Sequence, residues 1–181
     1  MKLVKTPLND CYILEPKIFG DSRGFFFESF NKKVFDELTG TNFHFVQDNH
    51  SLSARGVLRG LHYQIKQAQG KLVRVTRGEV QDVVVDLRKS SSTFGQHFSL
   101  ILSAENKKQL WMPPGFAHGF LVISTEAEFV YKTTDYYAPE HEKSILWNDK
   151  DLNIKWNFDG EPSLSEKDKK GISIQSAEVY P

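Results

Sequence analysis

The stretch VLRGLHYQ, residues 57 to 64, places an arginine, a histidine and a tyrosine close together on a predicted strand. Neutral imidazole accepts a proton near pH 7 and releases it again, so His62 is a candidate general base. A histidine on a strand can equally be a core residue whose ring nitrogens are hydrogen-bonded. What surrounds the imidazole decides between these two interpretations.

Four cations lie in or beside apolar strand and turn segments: Arg23, Arg59, Lys71 and Arg74. Cations that face inward need anions to meet them, and a phosphorylated ligand would supply those anions. Strict alternation sends Arg59 and His62 to opposite faces of a strand. Both side chains reach one pocket only if Gly60 marks a β-bulge, so a bulge is predicted there.

A second histidine follows a tight turn in WMPPGFAHGF, residues 111 to 120. The spacing Pro-x-Gly-x-x-His, which ends at His118, is typical of cupins, small double-stranded β-helix barrels. Metal-binding cupins add a His-x-His pair and a glutamate from an earlier strand, because a divalent ion needs several converging ligands. Here the earlier stretch reads His62-Tyr63-Gln64, and no His-x-His occurs among the six histidines. No bound metal is therefore predicted.

The segments that carry these residues are predicted to be strands. Alternation in KLVRVTRGEVQDVVVDL, residues 71 to 87, indicates a hairpin with RGE at 77 to 79 as its turn. It places Val83, Val85 and Leu87 on one face and Asp82, Val84 and Asp86 on the other. Seven more strands are predicted in CYILEP, FHFVQDNHSLS, GVLRGLHYQ, GQHFSLILS, QLWMPP, HGFLVIS and AEFVYKTTDYY. So many strands need two facing sheets or a barrel. Together with the cupin-like spacing that ends at His118, they indicate an all-β cupin jelly roll.

Only two short helices are predicted, both peripheral. In FNKKVFDELTG, residues 30 to 40, apolar residues fall near helical spacing and Gly40 can end the helix. In SLSEKDKKG, residues 163 to 171, a serine can cap a helix that ends before Gly171. Neither is expected to contribute to the β core.

Composition limits the class of protein. A chain of 181 residues without repeats or linkers predicts one domain over residues 1–181. Its 23 basic and 23 acidic residues cancel, so neither nucleic acid nor a membrane surface is an expected partner. Cys11 is the only cysteine, and the N-terminal residues contain no long apolar run. These features predict a soluble, cytoplasmic protein.

Five stretches together resemble the dTDP-4-dehydrorhamnose 3,5-epimerase family: FGDSRGFFFESFN, QDNHSLSARGVLRGLHYQ, QGKLVRVTRGEVQDVVVDLR, PPGFAHGF and LSEKDKKG. They cover nearly the whole chain in order, which makes the set far more specific than any one motif. The resemblance implies a metal-free, cofactor-free cupin homodimer. It further implies inversion of C3 and C5 of dTDP-4-keto-6-deoxyglucose on the way to dTDP-rhamnose.

The resemblance also implies catalytic roles. A hydrogen next to a ketone leaves only if the developing enolate is stabilised, and inversion needs a proton returned from the opposite face. By the match, His62 is the base, Asp168 pairs with it, Tyr131 is the acid and Lys71 polarises the C4 oxygen. Spacing alone favours plainer roles: a capping box from Ser165 to Asp168, core packing for Tyr131 and a solvated strand end for Lys71.

For the nucleotide, the resemblance implies Arg23, Arg59 and His118 near the diphosphate or sugar, Glu28, Gln47, Asn49 and Glu142 as hydrogen-bonding partners, and Phe19, Phe26 and Tyr137 as walls or stacking faces for thymine. The segment FGDSRGFFFES, residues 19 to 29, is expected to come from the partner subunit, so that dimerisation completes each site. The plain alternative for its phenylalanines is core or interface packing.

Three other functions stay open. A relative that inverts only C3 or only C5 of a dTDP-4-keto-6-deoxysugar would share every residue named above. A metal-dependent cupin isomerase or dioxygenase would need the missing histidine of His-x-His. A sugar-nucleotide binding protein without activity would not need His62, Tyr131 and Asp168.

Overall fold

The computed structural model describes residues 1–181 as a mostly β protein with one α-helix and two single-turn 3₁₀ helices. The strands are β1 Lys2–Lys5, β2 Tyr12–Glu15, β3 Phe19–Asp21, β4 Gly24–Phe26, β5 Gln47–Ala54, β6 Leu58–Gln64, β7 Lys71–Arg77, β8 Glu79–Asp86, β9 His97–Ser103, β10 Gln109–Met112, β11 Phe116–Val122, β12 Glu126–Thr133 and β13 Glu142–Ser144. The helix α1 is Lys32–Thr39, and the 3₁₀ helices are Pro139–His141 and Asp168–Lys170. No helix is long and apolar enough to cross a membrane.

Two antiparallel sheets face each other. The six-stranded sheet has the order β1-β2-β10-β7-β12-β5 and the five-stranded sheet the order β13-β6-β11-β8-β9. Their inner faces share an apolar core that includes Val73 and Phe129 from the first sheet and Val84, Leu102 and Phe120 from the second. This arrangement confirms the predicted all-β jelly roll.

Each sheet is also covered on its outer face. The helix α1 packs Phe35 against Trp111 and Leu72 of the six-stranded sheet. Against the five-stranded sheet, the C-terminal part of the chain packs Leu152 and Ile154. Val83, Val85 and Leu87 belong to this outer cluster while Val84 belongs to the inner core, so the predicted alternation along β8 is confirmed.

The predicted strands are found in all seven stretches, but the predicted hairpin around residues 77 to 79 is wrong. Strand β7 pairs with β10 and β12, whereas β8 pairs with β9 and β11, so the two strands lie in different sheets. Gly78 has φ 72° and packs against the backbone of Glu126, which makes RGE a corner between the sheets. Alternation reveals which face a residue takes but not which strand it pairs with.

Of the two predicted helices, the first is confirmed. Asn31 caps α1 by accepting from the Val34 N–H, and Gly40 ends it in the left-handed conformation at φ 67°. The second prediction is too long, because only Asp168–Lys170 are helical and form a single 3₁₀ turn. Beyond Gly171 the chain pairs with the segment after β13, where Ile172 donates to the Ser144 carbonyl and Leu146 donates to the Ile172 carbonyl.

The predicted bulge at Gly60 is confirmed. Strands β6 and β11 align His62 with His118 and Arg59 with Phe120, so β6 has one residue more than β11 between these pairs. Gly60 adopts φ 129°, and a Cβ there would lie 2.5 Å from the Gly119 Cα and 2.8 Å from the His118 carbonyl oxygen. Only glycine fits this contact, which lets Arg59 and His62 point into the same cavity.

We expect Gly60→Ala to lower the free energy of unfolding by about 2–4 kcal/mol, because the new methyl group collides with backbone. Gly95→Ala is the matched control, since Gly95 also has positive φ but open space around its Cβ position, and we expect a loss of about 1 kcal/mol there. Urea unfolding of both variants measures the difference. Equal losses would show that the close approach to Gly119 has no energetic weight.

Candidate active site

One cavity of about 460 Å³ opens between the two sheets. It is lined by all four predicted catalytic residues, His62, Lys71, Tyr131 and Asp168, and by six predicted binding residues, Gln47, Asn49, Arg59, His118, Tyr137 and Glu142. Phe120 and Phe129 also line it and stack on each other with ring centroids 4.2 Å apart. The cavity therefore combines an apolar wall with convergent polar groups, as ligand sites do.

His62 and Asp168 form a pair, although 106 positions separate them in the sequence. The His62 Nε2 lies 2.6 Å from the Asp168 Oδ1. An ionised Asp168 accepts the proton on Nε2, which leaves the lone pair on Nδ1 as the basic atom. Burial lowers the pKa of His62 below its usual value, and the bond to Asp168 opposes this only in part. The imidazole is therefore neutral near pH 7, as a general base must be.

Asp168 performs both of the roles that the sequence left open. In the capping box, its Oδ2 accepts from the Ser165 N–H at 3.3 Å and its own N–H donates to the Ser165 Oγ at 3.2 Å. The Oδ2 also accepts from the Ser165 Oγ–H at 2.6 Å, while the Oδ1 accepts from His62 and from the Gly60 N–H at 3.2 Å. Burial alone would raise the pKa of Asp168, but the bonds from His62 and Ser165 outweigh it and lower the pKa to about 2. The carboxylate is thus a fixed negative charge behind the imidazole.

Tyr131 reaches the cavity from the opposite sheet. It lies on β12 of the six-stranded sheet, whereas His62 lies on β6 of the five-stranded sheet. Burial raises the pKa of Tyr131, and the charge of Glu142 adds to the effect, so the phenol stays protonated. The imidazole and the phenol therefore reach one cavity from two facing sheets.

Lys71 begins β7 and is almost fully buried in the cavity wall. Burial lowers its pKa to about 8, while the charges of Glu142 and Asp82 act in the opposite direction. A poorly solvated ammonium gains more from an anion than an exposed one does, because little water must be displaced. Lys71 is thus placed to stabilise negative charge that develops on a ligand.

His118 has a buried carboxylate partner that sequence reasoning did not single out as a site residue. Its Nε2 lies 2.9 Å from the Asp82 Oδ2, and Asp82 has no exposed surface. The available signal was an aspartate among valines in VQDVVVDL, which needs a polar partner if that face is buried. Asp82 fixes the imidazole of His118 toward the cavity.

Lys167 is the cation that sequence reasoning missed. Its Nζ lies 2.7 Å from the Glu142 Oε1, and both side chains line the cavity. The Tyr137 hydroxyl donates to the other oxygen of Glu142 at 2.9 Å. Burial would raise the pKa of Glu142, but the bonds from Lys167 and Tyr137 lower it below its usual value. In the sequence, the only indication that Lys167 belongs to the site was its position directly before Asp168.

Four predicted binding residues lie outside this cavity within the single chain. Phe19, Arg23 and Phe26 line a separate open cavity on the β3–β4 hairpin, and Glu28 is exposed. Arg23 bonds only to its neighbour Asp21. Arg74, which was counted among the inward cations, instead lines a cavity of about 430 Å³ beside Asp48 and Lys132 that lacks His62 and Asp168.

Comparison with known proteins shows which family has this fold and site. A family model described as dTDP-4-dehydrorhamnose 3,5-epimerase matches residues 5–176. A dTDP-4-dehydrorhamnose 3,5-epimerase of Pseudomonas aeruginosa is 60% identical over 181 residues, which is 100% of each chain. The crystal structure of dTDP-6-deoxy-D-glucose-3,5-epimerase from Legionella pneumophila with dTDP-4-keto-L-rhamnose is 52% identical, with a TM-score of 0.95 over 98% of this chain and 94% of that one.

A less similar solved structure is named for a different reaction, epimerisation at a single carbon. The 3'-monoepimerase from Streptomyces bikiniensis in complex with dTDP-quinovose is 35% identical, with a TM-score of 0.89 over 94% of this chain and 87% of that one. One fold therefore carries both double and single epimerases.

The two-sheet barrel, with an imidazole and a phenol that line one cavity from facing sheets, defines, together with these relatives, an epimerase of the cupin class. The family match covers almost the whole chain, and the curated relative has the same length. This chain belongs to the dTDP-4-dehydrorhamnose 3,5-epimerase family and is an isomerase.

The pKa values predict a two-sided pH profile for kcat/KM. Activity should fall on the acid side as His62 becomes protonated, below the usual imidazole value of 6.5, and on the alkaline side as Lys71 loses its proton at about 8. In Lys71→Arg the cation no longer titrates, so the alkaline limb should move toward the range of Tyr131, above 10.0. An alkaline limb near pH 8 that persists in this variant would assign the titration to another group.

Proposed function

We propose that the protein inverts C3 and C5 of dTDP-4-keto-6-deoxy-D-glucose to give dTDP-4-keto-L-rhamnose. The observation that carries this proposal is the placement of His62 and Tyr131 on facing sheets of one cavity. Inversion at a carbon needs a proton removed from one face and another delivered to the opposite face. The names of the relatives support the same reaction.

In the proposed mechanism, His62 takes the proton from the carbon next to the C4 ketone. Asp168 stabilises the imidazolium that forms, and Lys71 stabilises the negative charge that moves onto the C4 oxygen. Tyr131 then gives its phenolic proton to the same carbon from the other side, and the ketone re-forms. His62 afterwards loses its proton to water and Tyr131 regains one, so that the second carbon can react in the same way.

At the nucleotide end, we propose that Arg59, His118 and Lys167 contact the diphosphate or the sugar. Arginine suits this role because its planar guanidinium engages phosphate oxygens in pairs. The remaining proposed contacts are hydrogen bonds with Gln47, Asn49 and Glu142 and stacking of thymine on Tyr137.

We propose that the active form is a homodimer and that the β3–β4 hairpin of one subunit completes the site of the other. Phe19 and Phe26 are 53% and 70% exposed, which is unusual for large aromatic side chains that face water. Arg23 pairs only with Asp21 of the same hairpin, and Glu28 is exposed just after β4. A second copy of the chain would cover these aromatic rings. The nucleotide bound in its cavity would then offer a phosphate to Arg23.

Two further proposals concern the whole chain. We propose that residues 1–181 form a single domain and that the protein works in the cytoplasm. Cys11 is the only cysteine and is free, so the fold depends on no disulfide, which is typical of proteins from a reducing compartment.

A metal-dependent cupin, one of the alternative functions, would need metal ligands that this cavity does not supply. No group of three or more His, Cys, Asp and Glu side chains is placed to hold a metal ion. The position of the missing histidine is occupied by Gln64, whose amide is engaged in bonds to backbone. A single-centre epimerase, by contrast, would use the same residues, so only the reaction itself separates it from the proposal.

The decisive test is proton NMR of dTDP-4-keto-6-deoxyglucose with the protein in deuterated water, with and without a chelator. We expect deuterium at both C3 and C5, at rates that the chelator does not change. Label at one carbon would indicate a single-centre epimerase, and a rate that falls with chelator would indicate a metal enzyme. The absence of label, with dTDP still bound, would leave a binding protein.

Two variants in the same assay separate the proton transfers. His62→Ala should abolish exchange and turnover while leaving dTDP affinity nearly intact, because the base contacts only the sugar carbon. Tyr131→Phe should impair reprotonation more than deprotonation, so deuterium should still enter substrate carbon when inversion fails. Loss of both processes in Tyr131→Phe would assign the tyrosine a positioning role instead.

The shared site makes a separate prediction about mixed dimers. In a dimer of one Arg23→Ala chain and one His62→Ala chain, one of the two sites receives His62 from the first chain and Arg23 from the second. Co-expressed and co-purified through two tags, this dimer should recover about half of the wild-type activity, because one site of the two is intact.

The matched control is a mixed dimer of His62→Ala and Tyr131→Phe. Both residues belong to the same cavity of one chain, so each site keeps one defect and no activity should return. Failure of the Arg23→Ala and His62→Ala pair to exceed this control would show that Arg23 does not act across the interface.

A further inference from the structure

Gln64 occupies the position of the missing histidine, two residues after His62 on β6, and is only 4% exposed. Its amide makes three hydrogen bonds, all of them to backbone. The Nε2 donates to the Gln67 carbonyl at 2.7 Å and to the Tyr136 carbonyl at 3.1 Å, and the Oε1 accepts from the Ala138 N–H at 3.0 Å. Every hydrogen-bonding direction that the amide commonly uses is thus directed at neighbouring loops.

Two of these bonds hold the residues on either side of Tyr137, namely Tyr136 through its carbonyl and Ala138 through its N–H. A third anchor comes from β5, where the Gln47 Oε1 accepts from the Tyr137 N–H at 3.1 Å. The backbone on both sides of Tyr137 is therefore fixed, although the tyrosine itself is 52% exposed. An exposed ring makes few contacts of its own, so its position depends on the backbone that carries it.

Tyr137 connects this anchor to the cavity. Its hydroxyl donates to Glu142, which also accepts from Lys167, and all three side chains line the site. A displacement of the loop would move the ring and would also remove one of the two bonds that orient Glu142. The loop is therefore part of the wall that a ligand meets.

We propose that Gln64 is a positioning residue that fixes Tyr137 at the cavity and thereby sets the affinity for the nucleobase end of the ligand. This inference rests on the proposed function, in which Tyr137 stacks on thymine. It extends that function to a residue whose side chain does not line the cavity.

The chemistry of the amide explains why glutamine is needed at this position. Two carbonyls and one N–H surround the side chain, so it must donate twice and accept once. A carboxylate has no donor to offer and would face two carbonyl oxygens. Neutral imidazole offers one donor and one acceptor, which would leave one carbonyl without a partner.

The test compares Gln64→Glu with Gln81→Glu. Gln81 is a matched control, since it is 3% exposed and likewise donates twice and accepts once, to Ser99, Lys155 and Asn157, away from the cavity. We expect Gln64→Glu to raise the Kd of dTDP and the KM by about tenfold while kcat stays within about twofold. Gln81→Glu should leave the Kd and KM unchanged, even where urea unfolding shows a similar loss of stability.

A double-mutant cycle identifies the route of the effect. Because Gln64 is proposed to act through Tyr137, Gln64→Glu should have no further effect on the Kd of dTDP in a Tyr137→Ala background. Additive effects, or equal Kd values for Gln64→Glu and wild type, would overturn the proposal. If Gln64→Glu does not fold, the uncharged Gln64→Met takes its place in both comparisons.

The outcomes for the two proposals are separable. Failure of the wild-type protein to exchange deuterium at C3 and C5 would contradict the epimerase function, while dTDP affinity would still report on Gln64. Normal exchange in the wild type, together with unchanged affinity in the Gln64 variants, would contradict the positioning role alone.

Discussion

The carboxylate of Asp168 is the constraint on which the rest of the site depends. It is held from three directions, by the His62 imidazole, the Gly60 N–H and the Ser165 hydroxyl. These bonds tie a segment near the end of the chain to β6, an inner strand of the five-stranded sheet. A buried charge is tolerated only when it is surrounded by donors, so the strand, its bulge and the 3₁₀ turn must come together for any one of them to be stable.

Much of this architecture could be predicted from the sequence because its signals are local. Alternating apolar residues indicated the strands, and Gly40 ends the one α-helix as expected. The bulge at Gly60 was also predictable, since Arg59 and His62 could share a pocket only with an extra residue between them. The corner at Gly78 was not, because alternation is the same whether a turn joins two strands of one sheet or two different sheets.

The site itself was predicted only where a motif carried it. Family resemblance indicated the cavity residues that this chain itself supplies, and the structure brings these together. Asp82 and Lys167 were missed for physical reasons. A buried aspartate behind a histidine resembles any strand aspartate until the pairing of β8 with β11 is known, and a lysine in a charged turn resembles a solvated one. Long-range pairing, rather than residue type, gives both residues their significance.

The extra residue at Gly60 interrupts the regular pairing of β6 with β11, but it brings Arg59 and His62 into one cavity. A regular ladder through all the residues of β6 would relieve a backbone conformation open only to glycine, yet it would turn Arg59 and His62 to opposite faces. A variant of β6 that paired regularly with β11 would therefore gain sheet regularity while one of these two side chains left the cavity. A stability screen on variants of this strand would enrich inactive molecules, so it must be combined with an activity screen.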